Sequence, residues 1–237
     1  MSPMWLIAGN LLREQRWLLL VLVLWIVGST LIATAGSPVS STDDVLFFLK
    51  QQAMYGVAFT AFLAASAVQN ERKSRRILAV LSKGIERRTY LGGLLVGVFG
   101  AAILYCAAMA IAGAFVFPQA RIPQPGSWIV IVMLAVTCAF TSTLALLFST
   151  VMAPFIAVIA TAITLGMLGA AVWAWPSWSV LFPVFGMLES IVEFGPGRPL
   201  SWYQAGPLLL SAVMETVVLW LLASKIFEYR DVAVPVE

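Results

Sequence analysis

Histidine is absent from the 237 residues, and only 11% of them are charged. Without an imidazole there is no Ser-His or Cys-His catalysis, no HExxH metal site and no histidine-ligated haem. No Gly-Lys dipeptide occurs either, so the chain has no GxxxxGK[ST] loop with which to cradle the phosphates of ATP. Cysteine is scarce. Cys106 and Cys138 lack metal-ligand spacing, fall inside apolar runs and read as packing residues. No metal site and no catalytic group is therefore expected on this chain. It also lacks a linker that would separate soluble domains, and a repeat with matching broken helices of the kind many secondary transporters carry. One membrane domain, 1–237, is the expected organisation.

What is abundant is apolar surface. Hydrophobic residues make up 61% of the chain, whereas a soluble domain carries roughly a quarter charged residues. A helix needs about 20 apolar residues to cross a hydrocarbon core of about 30 Å. Six stretches reach or approach that length: 17–35, 51–68, 91–117, 128–148, 155–175 and 207–226. They lack the alternation of a barrel strand. An all-α protein with six transmembrane helices is predicted.

Lys and Arg orient these spans. With both termini in the cytoplasm, the inner segments hold Arg13, Arg16, Arg72, Lys73, Arg75, Arg76, Lys83, Arg87, Arg88, Lys225 and Arg230, and the outer ones hold Lys50, Arg121 and Arg198. Eleven against three is a strong positive-inside asymmetry. It accounts for the net charge of +3 and gives no reason to propose nucleic acid as a partner.

Met1–Arg16 is not a normal secretory leader, although Ala33-Thr34-Ala35 resembles a signal-peptidase site. Residues 4–16 are expected to form an interfacial helix with Trp5, Leu6, Ala8, Leu11 and Leu12 on its apolar side. The alternative is a first span that starts early. Asp43 and Asp44 are expected to cap the start of the second span.

The segment between spans two and three, 70–90, carries seven positive charges against Glu71 and Glu86. Ile77, Leu78, Val80 and Leu81 form an apolar patch in its middle, and Ser82-Lys83-Gly84 breaks the run. Apolar knobs in a basic frame suit docking into a groove on another protein. A topogenic loop resting on lipid headgroups would look the same.

At this point the chain resembles the permease subunits of type-2 ABC exporters, over essentially its full length. In that family an N-terminal interfacial helix precedes six spans, and an acidic residue, a short coupling helix and a basic segment join spans two and three. The matching residues here are Glu71, the helix Arg75–Leu81 with Ser82-Lys83-Gly84, and Glu86-Arg87-Arg88. The resemblance implies that Glu71, Arg72, Arg75, Arg76, Ile77, Leu78, Leu81, Ser82, Lys83, Gly84, Arg87 and Arg88 contact a separate ATPase. Two cytoplasmic ATPase copies would carry the ATP and Mg, and two permease copies, identical or paralogous, would form the pore in a bacterial inner membrane. The family also has a re-entrant hairpin on the outer face, which 176–204 would supply. A Lys common in the family shortly after the basic segment is replaced here by Gly92-Gly93-Leu94.

Small residues let helices approach closely in lipid. Gly93, Gly97 and Ala101 recur every four residues on the third span, as do Ala162, Gly166 and Ala170 on the fifth. One stripe is expected within the protomer. The resemblance makes the fifth-span stripe the dimer contact.

Glu215 lies near the middle of span six, with Ser211 one turn before it. A carboxylate at the bilayer centre costs on the order of 2.5–3.5 kcal/mol on insertion scales, so such a residue usually faces a cavity or a partner. Two roles are open: lining a translocation path with Ser211, Thr137 and Thr141, or bonding to Thr137, Thr141 or Ser142 of span four. Glu189 and Glu193 share one helical face of the outer segment and could meet departing cargo, an extracytoplasmic partner or solvent. The exporter permease, without an enzymatic site of its own, is the leading function. A secondary transporter or channel using Glu215 as a proton or cation site is the alternative. A lipid-modifying membrane enzyme comes last, for want of histidine and clustered carboxylates.

Overall fold

The structure, a computed structural model, describes residues 3–35, 42–73, 85–119, 126–175, 182–195 and 200–229. All the regular structure in them is helical: α1 (Pro3–Glu14), α2 (Arg16–Ala35), α3 (Thr42–Lys73), α4 (Arg87–Gln119), α5 (Gly126–Val151), α6 (Pro154–Ala174), α7 (Pro183–Glu193) and α8 (Trp202–Tyr229). Backbone that meets lipid must bond to itself, and helices do so within one segment. Proline opens α1, α6 and α7, where its missing N–H costs nothing. Hydroxyls in the helix interiors turn back to their own turn. Thr137 donates to the Met133 carbonyl at 2.8 Å and Thr216 to that of Ala212 at 2.7 Å.

Each of the six apolar stretches lies on a helix. Among the described residues, four helices are long and apolar enough to cross a membrane: α4, α5, α6 and α8. A fifth crossing results if α1 and α2, bent by 62° at Gln15, are taken together. Helix α3 has the length, at 32 residues, but Gln51, Gln52, Gln69 and Asn70 dilute its apolar run. It begins well before position 51, so Asp43 and Asp44 stand in its first turn, where the helix dipole favours carboxylates, rather than ahead of it.

Helix α5 is the axis of the bundle. It packs against α3, α4, α6, α7 and α8, and 72% of its most apolar stretch is buried, against 22% for α6 and 17% for α8. The buried apolar residues form two clusters. One gathers Leu11, Leu19, Val68, Tyr90, Leu146, Ala157 and Phe227. The other gathers Ile26, Leu46, Val116, Ile129, Met187 and Ala205. Successive helices therefore alternate in direction, because each long one gives one end to each cluster. Cys106 and Cys138 meet as buried free thiols where α4 packs on α5, in keeping with a packing role. Exposed Trp5, Trp17 and Tyr229 mark one end of the bundle and Trp128, Trp175, Trp202 and Tyr203 the other. Aromatic rings at both ends are what a protein seated between two water–lipid interfaces shows.

Candidate functional site

Four regions singled out in the sequence can be followed into the fold. The first is the amino-terminal helix. A 62° bend at Gln15 sets α1 off from α2. Its inward face is Met4, Ile7, Ala8, Leu11 and Leu12, laid along the glycine stripe of α4. A Cβ at Gly97 would stand 3.2 Å from both the Cα and the carbonyl oxygen of Ala8, and one at Gly93 would stand 3.0 Å from the Met4 carbonyl. The Gly93–Gly97–Ala101 stripe is thus the contact within the protomer. Trp5 and Leu6, grouped with Ala8, Leu11 and Leu12 on the apolar side of the expected interfacial helix, point away from α4 and are 59% exposed.

The second region is the stripe on α6. Ala162, Gly166 and Ala170 all lie on its exposed face, and a Cβ at Gly166 would meet nothing within 4 Å. The opposite face, with Ala157, Thr161, Gly169 and Val172, is buried. Within one chain this stripe is unoccupied by any described residue.

The third is the segment joining α3 to α4. Glu71, Arg72 and Lys73 fall on the last turn of α3, three residues beyond the expected start of the loop. Arg75, Arg76, Ile77, Leu78, Leu81, Ser82, Lys83 and Gly84 lie outside the described residues. Arg87 and Arg88 open α4, and both have contacts within the chain. The Arg87 Nη1 donates to the Glu228 carbonyl at 3.1 Å, satisfying one of the last carbonyls of α8. The Arg88 guanidinium stands 5.0 Å from the Trp220 ring, an arrangement that binds charge to indole while leaving donors at its rim.

The fourth is the α5–α8 contact. Thr137, Thr141 and Ser142 are fully enclosed, and their hydroxyls are spent on α5 itself: Thr141 donates to the Thr137 carbonyl at 2.9 Å and Ser142 to that of Ala139 at 3.0 Å. Glu215 and Ser211 are half-buried on α8, and Glu215 has no hydrogen bond or ion pair with a described residue. The fold does not tie Glu215 to span four. Glutamine at 215 removes the charge and keeps the shape. Glu215→Gln is therefore expected to leave thermal unfolding in detergent unchanged or raised by about 1–2 °C.

At the end of the bundle away from α1, α7 is an amphipathic helix that buries Val184, Met187 and Ile191 against α5 and α8 and leaves Glu189 and Glu193 exposed. A buried polar pair escaped the sequence reading. Gln52 is 3% exposed, its carbonyl accepts the Tyr105 hydroxyl, and its side-chain Oε1 has no partner. An amide within an apolar span was the available signal, because burying one is costly. No group of three or more metal-ligating side chains exists among the described residues.

Comparison with known proteins finds no matching family model, and no similar curated protein or solved structure.

Proposed function

We propose that this chain is the transmembrane subunit of an ATP-driven exporter of the type-2 ABC class, seated in a bacterial inner membrane with both termini in the cytoplasm. The observation that carries the reading is the helix order. A short first helix folds back onto the third long one, six long helices alternate in direction, and a short amphipathic helix precedes the last. The absence of a phosphate-binding loop and the seven cations of 70–90 fit a chain that borrows its motor. On this reading α3 is the second of six spans, 75–81 is the coupling helix, and α7 with the start of α8 forms the outer hairpin. Two ATPase copies hold ATP and Mg, and the exposed stripe Ala162–Gly166–Ala170 joins two permease copies. The path runs beside Glu215 and Ser211. Thr137 and Thr141 join it only when α5 and α8 part, as rigid helices do when a motor closes beneath them.

The test is co-purification of an ATPase chain with the full-length protein. Leu81→Asp, which places a charge in the apolar patch, and Gly84→Trp, which fills its edge, are each expected to cut the recovered ATPase about tenfold or more, with helical content unchanged by circular dichroism. Normal recovery with both variants would refute the coupling role. The unpartnered, half-buried Glu215 favours one second reading, a carrier driven by a proton or cation gradient. Transport that persists without ATP and follows an imposed pH gradient would select it.

A further inference from the structure

A pocket of about 380 Å³ lies between the beginning of α4 and the final turns of α8. Its lining changes chemistry along α8. Val218, Leu221 and Leu222 make the apolar half, while Ser224, Lys225 and Glu228, with Arg88 from the first turn of α4, make the polar half. Val218 and Lys225 are seven residues apart on one helix face, a rise of about 10 Å. The pocket therefore runs from hydrocarbon to charge over the depth of a lipid headgroup region.

Its electrostatics select the ligand's sign. Arg88 and Lys225 line the polar half, against the carboxylate of Glu228, and Arg87 stands close by, bonded to the Glu228 carbonyl. That carboxylate is held loosely by Lys225 at 3.7 Å, and the Lys225 ammonium also lies 4.9 Å from the Tyr229 ring. Among the described residues Arg88 is held only by the face of Trp220, a contact that leaves its N–H groups able to donate. A further donor waits in the wall. Ser224 is 3% exposed, yet its hydroxyl has no hydrogen-bond partner, unlike Thr216 two turns earlier, which turns back to its own helix. A sealed hydroxyl without a partner is unfavourable, and an acceptor arriving beside it removes that penalty.

We propose that this pocket is a binding site for an anionic phospholipid. The phosphate sits between Arg88 and Lys225 with Ser224 as a third donor, and the acyl chain lies along Val218, Leu221 and Leu222. Those side chains continue into the exposed apolar face of α8 at Val213, Met214 and Val217, which a bilayer covers. A soluble phosphate would leave that half of the pocket unused. Basic pockets between membrane helices recognise such headgroups. The inference needs only a chain embedded in a bilayer, and it stands or falls apart from the exporter reading.

The experiment is native mass spectrometry of the full-length protein in detergent, titrated with phosphatidylglycerol or phosphatidylcholine of the same acyl length. Phosphatidylglycerol should be retained at least about fivefold better. The double variant Arg88→Gln, Lys225→Gln should retain it roughly 25-fold less, about fivefold for each charge. Both residues are exposed, so the fold survives their exchange. Ser224→Ala gives an independent reading. It should weaken phosphatidylglycerol retention while leaving lipid-free unfolding unchanged or shifted upward, since the hydroxyl has no partner to lose. Equal retention of the two lipids, or full retention by the double variant, would overturn the site. Displacement of phosphatidylglycerol by millimolar inorganic phosphate would overturn the lipid and assign the pocket to a soluble anion.

Discussion

Gly97→Leu is expected to unseat α1 from α4 and lower the midpoint of thermal unfolding in detergent by roughly 2–12 °C. The cause is geometric. The Cβ alone would lie 3.2 Å from the backbone of Ala8 and 2.7 Å from Leu11 Cδ2, so both main chains must separate before the rest of the side chain is placed. Overpacking of this kind costs about 1–3 kcal/mol, and in a chain of this length each kcal/mol moves the midpoint by roughly 2–4 °C. Gly28→Leu is the matched control. A Cβ there meets nothing within 4 Å, and its unfolding midpoint should stay within about 2 °C of the parent. Limited proteolysis supplies a second reading, because an unseated α1 exposes the chain around Gln15 to cleavage. If Gly97→Leu and Gly28→Leu unfolded together, the glycine stripe would not be the seat of the first helix.

If the exposed stripe of α6 pairs two copies, as proposed above, Gly166→Trp should do the reverse, leaving the protomer intact and abolishing that pairing. The site is open within the single chain, so an indole costs the fold little. Small residues are what allow two membrane helices to approach, and a tryptophan in such a stripe holds them apart. The dimer fraction by light scattering in detergent is expected to fall about tenfold or more. Gly169, three residues on, should behave differently. Its Cβ would run into the Phe185 ring, so Gly169→Trp is expected to destabilise the protomer itself. A dimer that persisted in Gly166→Trp would move the pairing surface elsewhere, with the broad exposed faces of α2 and α8 the next places to look.

The contrast between these glycines shows where sequence reasoning reached its limit. Gly93–Gly97–Ala101 and Ala162–Gly166–Ala170 are the same pattern, and nothing local distinguishes them. Only the bend at Gln15 delivers α1 to one and leaves the other bare. The apolar runs were legible because spanning lipid demands length and hydrophobicity over every residue, and each of the six stretches lies on a helix. Helix ends were less so. Helix α3 extends to both sides of 51–68: Val45–Leu49 is a second apolar run, separated from the first by Lys50, Gln51 and Gln52, and Gln69–Lys73 is polar but continues the helix. Residues that act through a neighbour were invisible. Trp220 and Ser224 read as ordinary members of span six, and their role arises from the start of α4 crossing beside them. Glu215 was conspicuous by chemistry alone. Its lack of a partner among the described residues is a matter of packing that spacing does not reveal, since the Thr and Ser hydroxyls of α5 donate to α5 itself yet keep lone pairs with which to accept.

The seating of α1 also dictates an order of events during synthesis. Met4 and Gly93 are about ninety residues apart in the chain, and translation runs at roughly 5–20 residues per second. The ribosome thus needs about 5–20 s after making the first helix to make its berth. During that wait the apolar side of α1 has no protein to cover it, and the headgroup layer is the natural place for it to rest. Docking of α1 therefore cannot precede synthesis of α4, and a bulky fusion ahead of Met4 should slow that step without altering the insertion of the later helices.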